Sequence, residues 1–132
     1  MKNDITSRKD IEQLVNTFYD RVSKDERLGY IFNEVAAVNW NSHLEIMYRF
    51  WENIILFTGD YSGNPMNLHQ HIHHLKPLEG TDFDKWNRMF IETVDDLFEG
   101  RNAEGAKERA LCISDVLKSK IISGTASEEN IY

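Results

Sequence analysis

The chain reads as all-α, and three observations carry that reading. Apolar residues recur at spacings of three and four in segment after segment, where a strand would alternate. Ser7 with Asp10, and later Thr81 with Asp84, place a capping hydroxyl three residues before an acid at the head of such a segment. Only two prolines interrupt 132 residues, so long helices are permitted. One domain over 1–132 is expected, large enough to bury roughly two-thirds of the surface its unfolded chain exposes. Residues from about 123 to 132 continue no stripe and are expected to fray.

Taken in order, the first helix should begin near Ser7 and bury Ile11, Leu14, Val15, Phe18 and Val22, with Tyr19 at the edge of that stripe. The charged run Arg21 to Arg27 reads as its solvated end, and Leu28 to Phe32 as a short apolar turn or two of helix. Asn39 or Asn41 can cap the next helix, where His43, Met47, Phe50, Ile54 and Phe57 follow at steps of four, three, four and three. That places His43 at the head of a buried face. Gly59, Gly63 and Asn64 supply turn chemistry. Asn64-Pro65 reads as cap and first position of a short helix to about His74, with Met66, His69 and Ile72 or His73 on one face. Pro77 prevents its extension. An aromatic helix carrying Phe83, Trp86, Phe90, Val94 and Leu97 should stop at Gly100. The last helix carries Ala106, Ala110, Ile113, Leu117 and Ile121, with Lys118 and Lys120 placed to favour the negative end of its dipole.

A net charge of -7 repels phosphate backbones and anionic lipid, which argues against nucleic acid or a membrane as partner. Cys112 is the only cysteine, so an internal disulfide and a thiolate metal cluster are excluded, and a reducing compartment is expected. Neither a signal-like N-terminus nor a run of eighteen apolar residues is present, and the expected location is cytoplasmic. Cys112 lies between Leu111 and Ile113 without a histidine beside it, and reads as an inert thiol. Trp40 and Trp51 read as structural.

Four of five histidines fall at positions 69, 71, 73 and 74. Three readings compete for them. The cluster can be a solvated polar stretch. It can chelate non-haem metal through His69 and His73, one helical turn apart, with His43 or Glu45 as a third ligand. Or one imidazole can be the axial ligand of a haem whose apolar body lies between the His43 stripe and the Phe83 to Leu97 stripe. For that role His69 is the best candidate, because Pro65 fixes the start of its helix and Met66 shares its face, while His73 is the alternative one turn later.

Several stretches then carry a resemblance. Phe18-Tyr19, Leu28-Gly29-Tyr30-Ile31-Phe32, Phe50-Trp51, the run from Gly59-Asp60-Tyr61 through Pro65-Met66 to His69, Phe83-Asp84-Lys85-Trp86 and Thr93 to Gly100 stand in the order and spacing of the truncated haemoglobins. No Gly-Gly pair is present, so the chain is most similar to their third group. The stretch from His69 to Trp86 is longer than in some members and holds three further histidines. The resemblance implies a compact truncated globin fold, a helical sandwich around a haem pocket, with haem b held through His69. It puts Tyr19, His43 and Trp86 on the distal, ligand-binding side and Phe32 against the porphyrin. Met47, Phe50, Met66, Ile72, Phe83 and Phe90 complete the expected pocket.

The implied function is reversible binding of oxygen or another diatomic gas, NO or CO, in a monomer or weak dimer. Detoxification of NO or peroxide is compatible with that pocket, whereas no catalytic residue is assigned. Any turnover would need a separate reductase, since the chain shows neither a flavin nor a nicotinamide motif. A non-haem metal module built on the His69 to His74 cluster and a haem-based gas sensor stand as alternatives.

Overall fold

The computed structural model describes residues 2–31, 33, 40–57 and 79–122, and every element among them is a helix. Helix α1 spans Arg8–Lys24, α2 Glu26–Tyr30, α3 Trp40–Leu56, α4 Gly80–Leu97 and α5 Arg101–Ile122. The expected short helix from Pro65 to His74, and with it Phe32, Met66, His69, Ile72 and His73, lies outside the described residues. So does the tail beyond 122. No described helix is long and apolar enough to cross a membrane.

Helix α1 starts where its capping chemistry predicts. Ser7 is extended and its hydroxyl accepts from the backbone N–H of Asp10, while Ile11, Leu14, Val15, Phe18, Tyr19 and Val22 form its buried face. It ends at Asp25, whose carboxylate then accepts from Arg27 N–H and Leu28 N–H and so begins α2. The chain can turn back this sharply because residue 29 is glycine. A Cβ there would stand 2.5 Å from the carbonyl oxygen of Ser23.

Two antiparallel pairs make the sandwich. In the first, Arg8 at the head of α1 reaches Glu52 near the end of α3 at 3.0 Å, and Tyr48 donates to Asn16 two turns further along α1. In the second, Lys107 meets Asp95 at 2.7 Å and Lys118 meets Asp84 at 2.9 Å, which fixes the register of α5 against α4. Helix α1 packs on α4 and α3 on α5, so one pair lies across the other. Their common core is aromatic. Phe18 meets Trp86 and Phe90 edge to face at 5.4 and 5.1 Å, and Trp51 stacks on Phe90 at 4.6 Å.

Four sequence expectations need correction. Helix α4 begins at Gly80 with Glu79 as cap, not at Thr81. Its acidic partner is Asp82, which accepts from Glu79 N–H at 2.8 Å. Phe57 does not continue the buried stripe of α3. It is 80% exposed with φ of 60°, a left-handed residue that ends the helix. The run Arg21 to Arg27 is not merely a solvated end: Arg27 forms a two-pronged pair with the buried Asp82, and Asp25 pairs with Lys85 at 2.8 Å. Lys118 engages Asp84 and is therefore not a dipole cap alone.

Candidate functional site

Tyr19 and Trp86 come from opposite layers and meet inside. Tyr19 follows Phe18 on α1, so its ring leaves the helix just beside the aromatic core, at 4.8 Å from Phe18. Trp86 lies one turn before Phe90 on α4 and is nearly parallel to it, with ring centres 5.8 Å apart. Its indole N–H acts on the Tyr19 hydroxyl so as to favour the ionised phenol. Burial pushes the Tyr19 phenol well above its ordinary ionisation range, and the Trp86 hydrogen bond offsets that only in part. The Tyr19 proton is thus held at any physiological pH.

His43 enters from α3. It is buried, and its ring stands edge-on to Tyr19 at 5.1 Å. The three side chains that the sequence assigned to one side of a pocket are therefore adjacent, each supplied by a different helix. Phe50 and Phe90 of the expected pocket are buried, Phe83 is buried on α4, and Met47 is packed against the core from α3. A phenol, an imidazole and an indole beside buried aromatic side chains are groups suited to a small polar ligand on an apolar, flat group. The polar groups that meet here therefore fit a haem pocket.

Sequence reasoning missed one neighbour and one buried polar side chain. Trp40 was assigned to structure, yet its ring lies 5.8 Å from Tyr19 and 5.7 Å from His43. A signal existed, since Trp40 and His43 are three apart on one helix. Asn87, next to Trp86, is buried, and its Oδ1 meets no donor among the described residues. A buried acceptor inside an aromatic stripe has no periodic signature, and nothing in the sequence pointed to it.

Comparison with known proteins extends the likeness beyond these residues. A family model described as bacterial-like globin matches residues 3–122. The chain is 29% identical over 117 residues to the Group 3 truncated hemoglobin ctb of Campylobacter jejuni, covering 86% of this chain and 90% of that protein. It also superimposes on the crystal structure of a group III truncated hemoglobin from Campylobacter jejuni with a TM-score of 0.79 and 27% identity. That match covers 92% of this chain and 95% of the other.

Proposed function

The chain belongs to the bacterial-like globins, within the truncated haemoglobins, and from that membership we propose that it binds haem b through His69 and takes up a diatomic gas on the side of Tyr19, His43 and Trp86. Haem, when bound, would supply an iron able to take oxygen, NO or CO. The observation that carries the reading is the convergence of a buried phenol, a buried imidazole and a partly buried indole from three helices.

The roles follow from the donors. Trp86 gives its N–H to Tyr19, which orients the phenol and strengthens its O–H as a donor. Tyr19 then donates to a ligand atom that carries partial negative charge. Such a bond is worth roughly 1.5–3 kcal/mol, or about ten- to a hundredfold in affinity. His43, near the start of α3, regulates access. A pocket that holds a ligand this firmly suits NO or peroxide chemistry better than oxygen delivery, with electrons from a separate reductase.

Absorption spectra of the purified protein with and without haemin, in ferric, reduced and CO-bound forms, test the reading. A stoichiometric Soret band that shifts on reduction and again with CO is expected, and His69→Ala should lose it. Normal haem affinity in that variant would move the axial role to His73. A parent protein that takes up no haem would sink the proposal and direct metal analysis to the histidines at 69 to 74.

A further inference from the structure

Between α1 and α3 lies a groove of about 290 Å³ lined by Asn16, Tyr19, Asp20, Ser23, Trp40 and Leu44. Its volume is several times the roughly 30 Å³ that one water occupies in the liquid, ample for a diatomic molecule. Tyr19 belongs to both places: it forms part of the groove wall and is also the buried centre of the distal cluster. The groove is bracketed by side-chain bridges. At one end Tyr48 of α3 donates to Asn16 of α1. At the other, the Trp40 indole N–H donates to Asn33 Oδ1 at 2.8 Å, and Asn33 Nδ2 donates to the carbonyl of Ser23 at 3.3 Å.

Trp40 is thus tied at its edge and lies against both Tyr19 and His43. The tie is exposed to solvent, where water competes for both partners, so its net strength is modest. We propose that this groove is a port by which a small gas ligand reaches the distal side, and that Trp40, latched by Asn33, is the positioning residue that sets its width. The proposal rests on the haem reading above and adds a route beside the one attributed to His43. A swing of the indole away from Asn33 uncovers Tyr19 without moving a helix.

Laser photolysis of the CO-bound holoprotein tests it through Asn33→Leu, Asn33→Asp and Trp40→Phe. Asn33 is exposed, so its substitution leaves the core intact. Leucine removes the acceptor at similar size, aspartate keeps one, and phenylalanine removes the donor while keeping a ring. Asn33→Leu and Trp40→Phe should each raise the CO association rate by about fivefold, the factor that corresponds to one weak hydrogen bond, while Asn33→Asp stays near wild type. Exchange of the Trp40 indole proton, followed by 15N NMR on the same CO-bound protein, should quicken in Asn33→Leu and stay slow in Asn33→Asp. The proposal is overturned if Asn33→Leu and Trp40→Phe both leave association within about twofold of wild type, or if Asn33→Asp behaves like Asn33→Leu. A rate moved by His43→Leu but by neither latch variant would also overturn it while leaving the haem function standing. Failure of the parent protein to bind haem, read first, overturns both.

Discussion

At Tyr19 and Trp86, two donors share one acceptor site in an order that the sequence alone leaves open. On the proposed reading, in which Trp86 gives its N–H to the Tyr19 oxygen, the phenol contacts the ligand and the indole acts through it. Tyr19→Phe should therefore speed oxygen release by about tenfold or more. Trp86→Phe should speed it less, and the double variant should match Tyr19→Phe rather than multiply the two effects. Stopped-flow release rates decide this, and multiplicative effects would mean that each donor reaches the ligand independently. Burial of Tyr19 has a second consequence. The protein has five tyrosines, and the phenol at 19 is pushed up in pKa, so it should be the last to ionise in an alkaline titration followed near 295 nm. Its neutral form is the one the fold tolerates, and deprotonation at high pH should coincide with loss of structure. A titration in which Tyr19→Phe removes an early-ionising tyrosine would contradict that environment.

The helices themselves were legible because a 3.6-residue stripe is written within a few turns of chain: Ile11 to Val22 on α1 and Phe83, Phe90 and Val94 on α4 are buried as their spacing requires. What fastens the helices to one another was not legible, because the partners are far apart in sequence. Gly100 has no side chain with which to cap α5, and its φ of 145° disfavours any other residue. Asp4, 98 positions before Asn102, takes over the cap: its carboxylate accepts from Asn102 N–H at 2.9 Å and Ala103 N–H at 2.8 Å. Arg27 and Asp82 stand 55 apart and tie α2 to the head of α4. The proximity of Tyr19, His43 and Trp86 was legible only through the order of motifs that the family shares, since nothing in the local periodicity of α1, α3 and α4 says that they come together. Asp4→Ala should cost about 1–2 kcal/mol, as loss of a helix cap does, read as a fall in the denaturant midpoint. Gly100→Ala should cost at least as much, because the new Cβ would stand 2.5 Å from the Asp4 carboxyl carbon. An unchanged midpoint in both would mean that the N-terminal segment leaves α5 in solution.

The assembled protein joins two responses to acid that belong to different parts of it. For Asp4, desolvation acts to raise the pKa, but the N–H groups of Asn102, Ala103 and Ile5 outweigh it and hold the carboxyl below the ordinary range. For Asp25, desolvation is likewise outweighed, here by Lys85 and by the N–H groups of Leu28 and Arg27. A carboxyl whose native pKa is depressed contributes stability above its unfolded pKa of about 4, and that contribution disappears as pH falls through the lower native value. The helical framework should therefore hold from neutrality to about pH 4 and weaken below it. The proposed ligation of haem by His69 would ask for a neutral imidazole instead, and should weaken as pH falls through about 6, where an imidazole ordinarily takes up a proton. Acid should accordingly act in two stages, with the Soret band lost first and the far-ultraviolet helical signal later. Recording both signals on one acid titration checks the order, and Asp4→Asn should make the second stage shallower while leaving the first in place. A single transition in which both signals vanish together would mean that the pocket and the framework are one cooperative unit. In that case the carboxylates at Asp4 and Asp25 would not set the acid limit of the fold.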